Sequence, residues 1–112
     1  MITISCASPK GGVGKTTVST ILATTLAAEK SGRRARVQVI DADPSANLTR
    51  WAAERAGQGR PELFKVTSGV VAETMIDTID AIEEAGETDF LIIDLEGTAG
   101  EIVGYAIGRS DL

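Results

Sequence analysis

Histidine is absent from the chain, and cysteine occurs once, at Cys6. Without histidine, a Ser–His–Asp triad and His-ligated zinc are both excluded. One cysteine can neither close an internal disulfide nor hold an iron–sulfur cluster by itself. No apolar run approaches the roughly 18 residues that cross a bilayer, so no membrane partner is expected. The first residues lack the basic stretch and apolar core of a secretory signal, and a cytoplasmic location is expected. Basic residues are in the minority, 11 Lys and Arg against 16 Asp and Glu, for a net charge of -5. That balance argues against non-specific DNA binding by the chain as a whole and leaves room only for a local basic patch.

What is present is enough for one domain: 112 residues, 43% of them hydrophobic, with no internal repeat. Ile2, Ile4 and Cys6 alternate with polar or small neighbours and read as a strand. A Pro- and Gly-rich loop follows from Ser8 to Gly14. A helix is expected over about Lys15 to Ser31, with Val18, Ile21, Leu22, Thr25 and Leu26 on its apolar face and Gly32 as its C-cap. A second strand, about Arg36 to Ile40, runs into the acidic loop Asp41-Ala42-Asp43-Pro44, where Pro44 turns the chain out of the strand. A short helix around Leu48 to Arg55 precedes the breakers Gly57, Gly59 and Pro61, and Leu63 to Val66 reads as a short strand. Val71, Met75, Ile79 and Ile82 mark an amphipathic helix ended by Gly86. Phe90 to Ile93 is an unbroken apolar run that suits a strand buried on both faces and ends in Asp94. A last helix is expected over Glu101 to Gly108. Strands alternating with helices define an α/β fold with a parallel sheet and flanking helices. The loops Ser8–Gly14, Asp41–Asn47 and Leu95–Gly100 all leave strand C-terminal ends, so they converge on the edge where such sheets bind ligands.

The first loop carries the chemistry. Pro9-Lys10-Gly11-Gly12-Val13-Gly14-Lys15-Thr16-Thr17 fits the second half of the phosphate-loop pattern G-x-x-x-x-G-K-S/T, with Pro9 in place of the first glycine. Small residues let backbone N–H groups point inward at phosphate oxygens, and the helix N-terminus adds its positive dipole end. Lys15 is placed to reach the β- and γ-phosphates, and the Thr16 hydroxyl to ligate Mg²⁺. A glycine-rich turn that only caps a helix is the plainer alternative. The order strand, loop, Gly-Lys-Thr, helix argues against it.

Lys10-Gly-Gly-x-Gly-Lys-Thr-Thr resembles the deviant Walker A loop of the ParA/MinD ATPase family, a class of P-loop NTPases. The resemblance continues through Val39-Ile40-Asp41-Ala42-Asp43-Pro44-Ser45-Ala46-Asn47, similar to that family's switch I, and through Phe90-Leu91-Ile92-Ile93-Asp94, similar to a Walker B strand. It implies an ATPase that uses ATP and Mg²⁺. Gly11, Gly12, Val13, Gly14, Lys15, Thr16 and Thr17 would hold the phosphates, and Lys10 would act on the nucleotide of a partner subunit. Thr16 and Asp94 would hold the metal, Asp41 would support the metal site, and Asp43 would orient the attacking water. Glu96 is the alternative for that last role. A plain turn and helix cap is the alternative for Asp41 and Asp43. Leu95-Glu96-Gly97-Thr98-Ala99-Gly100 occupies the switch II position and departs from the Thr-Pro-Pro found there in many members. Leu48-Thr49-Arg50-Trp51 with Glu96-Gly97-Thr98 is similar to a plasmid-borne subgroup that includes the ATPase assisting T-DNA border processing.

The family resemblance implies slow hydrolysis, an ATP-dependent homodimer, a stimulating ParB-like protein, and plasmid or chromosome partition. ATPases of conjugative or T-DNA processing, and ATP-dependent ligases of the same superfamily, are the alternatives. The iron-protein branch would need further cysteines, and Cys6 suits a small buried apolar role. Arg33, Arg34 and Arg36 follow the first helix, where they complement its dipole; a nucleic-acid patch is the alternative. Trp51 reads as a helix packing residue in preference to a base-stacking one. Family domains run to about twice this length. Residues 1–112 are therefore expected to be the nucleotide-binding part of a longer domain, incomplete at the C-terminus, with the main DNA-binding surface further along.

Overall fold

The computed structural model describes residues 1–8, 15–28, 32–96 and 100–112. Four strands alternate with four helices: β1 (Ile2–Ser8), α1 (Lys15–Ala27), β2 (Val37–Asp41), α2 (Asn47–Gly57), β3 (Lys65–Ser68), α3 (Ala72–Ala85), β4 (Phe90–Glu96) and α4 (Glu101–Gly108). The strands form one sheet in the order β1-β4-β2-β3, and every pairing is parallel. The α/β class with a parallel sheet and flanking helices is thus as the sequence implies.

β4 lies between β1 and β2, and Leu91 to Leu95 are all fully buried. A strand covered on both faces has no solvent side to mark with polar residues, so its pattern reads as a continuous apolar run. Alternate residues feed two cores. Val37, Val39 and Ile92 pack with Ala23 and Ala27 of α1 and Leu48 of α2. Ile40, Leu91, Ile93 and Leu95 pack with Met75 and Ile79 of α3 and Ala106 of α4. The sheet is therefore sandwiched between helix pairs, which fixes the C-terminal ends of β1, β4 and β2 side by side.

Several boundaries differ from the sequence expectation. α1 stops at Ala27, five residues before Gly32, so Gly32 is not its C-cap. Its buried face is Ser19, Ala23 and Ala27, while Val18 and Ile21 are each 58% exposed. Small residues let the helix lie close to the sheet, with Leu22 and Leu26 half-buried against the same core, whereas Val18 and Ile21 do not belong to that face. β3 covers Lys65–Ser68 in place of Leu63 to Val66, because Phe64 enters the core from the preceding loop. β4 continues two residues beyond Asp94, which therefore sits within the strand. Gly86 does close α3, at φ 67°, a left-handed cap conformation that glycine adopts without strain.

The outer edge of β1 is partly engaged. The amides of Asp111 and Leu112 donate to the Thr3 carbonyl, and the Ser5 amide donates to the Leu112 carbonyl at 3.1 Å. That is a parallel ladder pattern, and it covers part of the free edge of β1. Trp51 stacks on Phe64 at 5.8 Å, with the rings nearly parallel and Arg55 over the indole, which makes it the packing residue expected. Cys6 is half-buried against the α1 core.

Candidate nucleotide-binding site

Two strands deliver the acidic residues. In the parallel registers, Asp94 of β4 stands beside Cys6 of β1 on one side and Asp41 of β2 on the other. Asp94 is fully buried and Asp41 is 2% exposed. Two adjacent buried carboxylates are costly unless each is supplied with donors or a cation.

Asp94 receives a hydrogen bond from the Ser19 hydroxyl of α1, at 2.8 Å to Oδ1. Ser19 lies one helical turn after Thr16 and at the start of the face formed with Ala23 and Ala27. The bond therefore ties the first turns of the helix that follows the glycine-rich loop to the β4 carboxylate. Lys10, Gly11, Gly12, Val13 and Gly14 lie outside the described residues, as do the side chains of Lys15, Thr16 and Thr17. The backbone of α1 nevertheless begins at Lys15. Lys15-Thr16 thus opens the helix that follows β1, a strand adjacent to β4, in the order the motif requires.

Asp41 is engaged on both oxygens. Its Oδ1 accepts the Asp43 amide at 3.3 Å. Its Oδ2 accepts the Thr49 amide at 3.0 Å and also the Thr49 hydroxyl. Asp43 is half-buried, and its Oδ1 accepts the Ser45 amide at 2.9 Å in an Asx turn. The Ala46 amide donates to the Asp43 carbonyl at 3.0 Å, and Ala46 itself takes a left-handed conformation at φ 53° before α2 starts. The turn-and-cap arrangement weighed from sequence is thus present, with Asp41 serving as the cap of α2 from the neighbouring strand.

The loops after β2, β3 and β4 meet around a cavity of about 880 Å³. Asp41, Asp43, Thr49, Val70, Glu96 and Ile102 are among the residues that line it. Both candidates for orienting water, Asp43 and Glu96, therefore face one space. Gly97 and Thr98 of the switch II segment lie outside the described residues. Among the described residues, no cluster of three or more His, Cys, Asp or Glu could hold a metal ion. Asp94, a fully buried carboxylate, is a hard oxygen ligand of the kind Mg²⁺ takes together with phosphate oxygens and water. The residues present fit that ion.

Of the two residues that organise this edge, Ser19 was not singled out from sequence, and Thr49 was named only within the segment Leu48-Thr49-Arg50-Trp51, with no role at the site. Ser19 could have been found as the one polar residue on a small-residue helix face. Thr49 could have been found as a hydroxyl in the first turn of a helix following an acidic strand end. The arginines after α1 turn out to be largely committed. Arg34 donates to the carbonyl of Ala27, the last residue of α1, and Arg36 pairs with Asp89 at 3.1 Å.

A parallel sheet with a Gly-Lys-Thr helix start beside a buried strand aspartate defines the P-loop nucleotide-binding class of α/β proteins. Residues 4–103 match the CobQ/CobB/MinD/ParA nucleotide-binding domain, and the chain belongs to that family. It is 37% identical to the protein ParA of Rhizobium radiobacter over its whole length, which covers 46% of that relative. It is 34% identical to the chromosome-partitioning ATPase Soj of Thermus thermophilus, over 90% of this chain and 36% of the relative. It is also 34% identical to the maintenance of carboxysome distribution protein A of Synechococcus elongatus, over 73% of this chain and 29% of that protein. The chain spans less than half the length of these relatives.

Proposed function

We propose that this chain is the nucleotide-holding part of a ParA-type ATPase that positions or partitions DNA or another large cargo. The observation that carries the reading is the buried Asp94, bonded by Ser19 to the helix that Gly-Lys-Thr opens. A carboxylate fully removed from water at that place, beside a phosphate-binding helix start, suits a magnesium–nucleotide complex. Gly11, Gly12, Val13, Gly14, Lys15, Thr16 and Thr17 hold the phosphates of ATP. Thr16 and Asp94 hold the metal, and Asp41 backs that site from the next strand. Mg²⁺ when bound neutralises charge on the β- and γ-phosphates. Asp43, which lines the cavity beside Asp41, orients the attacking water. Lys10 reaches the nucleotide of a second subunit, so the active form is an ATP-bound homodimer.

Hydrolysis is slow and is accelerated by a ParB-like partner. DNA contacts come mainly from outside these residues, in keeping with a net charge of -5. The names of the relatives, a chromosome-partitioning ATPase and a carboxysome-distribution protein, support positioning as the use. A cytoplasmic, nucleoid-associated location goes with that role, and among the described residues no helix is long and apolar enough to cross a membrane.

Lys15→Ala tests the reading. The variant is expected to lose ATP binding by at least about 100-fold, since it removes a charge-assisted contact to two phosphates. Calorimetric titration with ATP and Mg²⁺ measures it, and undiminished affinity contradicts the phosphate-loop assignment. Turnover raised by DNA and a centromere-binding protein favours positioning. Turnover that requires only a small acid substrate favours a ligase.

A further inference from the structure

We propose that Thr49 is a positioning residue that sets Asp43 through Asp41, an inference that rests on the water-orienting role proposed for Asp43. Asp41 is a carboxylate at the end of β2, buried to 2% exposure. Its three described donors come from the two ends of one loop. The Asp43 amide lies two residues ahead, and the Thr49 amide and hydroxyl lie eight ahead. The carboxylate therefore straps the loop that carries Asp43 against the first turn of α2. Leu48, fully buried beside Thr49, anchors that turn in the core.

The strap has one side-chain component. The two backbone donors persist in any substitution that keeps the fold, whereas the Thr49 hydroxyl can be removed alone. Valine has the same shape without the hydroxyl, and its use leaves a buried carboxylate short of one donor. Hydrogen bonds to charged groups are the stronger ones, and a buried charge deprived of a donor seeks another. Rotation of Asp41 toward water would release the 3.3 Å bond to the Asp43 amide, which is the longest and weakest of the three. Asp43 would then keep its Asx turn with Ser45 but lose one of the bonds that hold the loop to the strand end, of which the Ala42 amide bond to the Asp94 carbonyl is another. Misplacing a water-orienting group by a fraction of an ångström slows turnover without weakening the phosphate grip.

Thr49→Val is therefore expected to lower ATP turnover about tenfold or more, with the dissociation constant for ATP and Mg²⁺ changed by less than about twofold. Thr49→Ser, which restores the hydroxyl, recovers most of the lost rate. In an Asp43→Ala background, Thr49→Val lowers the residual turnover no further, because the group it positions is gone. Amide hydrogen exchange gives a readout independent of turnover: the Asp43 and Thr49 amides of Thr49→Val exchange about tenfold faster or more, with the β4 amides unchanged. Full turnover in Thr49→Val, an equal loss in the Asp43→Ala background, or unchanged exchange at Asp43 each overturns the proposal. Failure of the unaltered chain to bind ATP instead removes the proposed function, and the exchange measurement then decides the strap by itself.

Discussion

At the scale of single residues, the turn that carries Asp43 contains a conflict between sequence and conformation. Ala46 sits at φ 53°, ψ 32° immediately before α2, and it is the one described non-glycine residue with positive φ. A left-handed alanine costs roughly 1–2 kcal/mol, because Cβ crowds the following carbonyl. The turn is held nonetheless by the bonds from Ala46 to the Asp43 carbonyl and from Arg50 to the Ala46 carbonyl, each 3.0 Å. Replacing Ala46 with glycine removes the crowding and adds roughly 0.4–1 kcal/mol of unfolded-state entropy. The balance favours the variant, so Ala46→Gly is expected to stabilise the chain by about 0.5–1 kcal/mol. Urea unfolding checks this, and a lower midpoint at unchanged slope would show that the methyl group makes contacts worth more than the strain.

At the scale of elements, α1 shows where pattern reading succeeds and where it fails. The large apolar residues Val18 and Ile21 recur at helical spacing, yet the helix turns Ser19, Ala23 and Ala27 to the sheet. Exposed positions tolerate truncation, whereas a fully buried alanine between helix and sheet has no room for added methylenes. Ile21→Ala is therefore expected to change stability by less than about 0.5 kcal/mol, and Ala23→Leu to cost about 1–3 kcal/mol. Denaturant midpoints of the two variants give the comparison, and the reverse ranking would place the wrong face of α1 against the sheet. β4 and α4 were legible for the opposite reason. A strand buried on both faces announces itself as an unbroken apolar run, and Gly100 and Gly108 bracket a short apolar helix. β3 was displaced because an edge strand with no fully buried residue carries no strong pattern, while the conspicuous Phe64 belongs to the loop before it. The same division holds at the candidate site. Asp41, Asp43 and Asp94 stand out as acidic residues at strand ends after a phosphate loop. Ser19 and Thr49 matter only through the partners that the fold brings to them, 75 and 8 residues away respectively. Spacing along the chain cannot show such partnerships.

At the scale of the whole molecule, the sheet has a functional edge and a stapled edge. Residues following β2, β3 and β4 line one cavity at the C-terminal ends of the strands, where the nucleotide site is proposed. At the opposite ends, Asp89, just before β4, ties down the entry to β2. Its carboxylate accepts the Arg36 amide at 2.8 Å and two guanidinium bonds, and the Asp89 amide returns a bond to the Arg36 carbonyl at 2.8 Å. Arg36 also reaches the carbonyl of Gly86, the cap of α3. Three elements therefore meet at one ion pair. The side-chain hydrogen bonds from Arg36, followed by its backbone amide, hold the Asp89 carboxyl below the ordinary carboxylate range. A folded-state pKa below the unfolded value means that the contribution to stability is complete above the unfolded carboxylate pKa of about 4. It is lost as the pH falls through the lowered folded value. Asp89→Asn removes the charge at every pH, so the unaltered chain is expected to be more stable than the variant near pH 6, with the gap narrowing steadily below about pH 4. Because the pair is exposed to solvent, 1 M NaCl is expected to shrink the gap at pH 6 as well. Urea midpoints of both proteins at pH 6 and pH 3, with and without salt, measure it. A gap near zero at both pH values would mean that Asp89 acts only as a hydrogen-bond acceptor, a role that asparagine fills equally well.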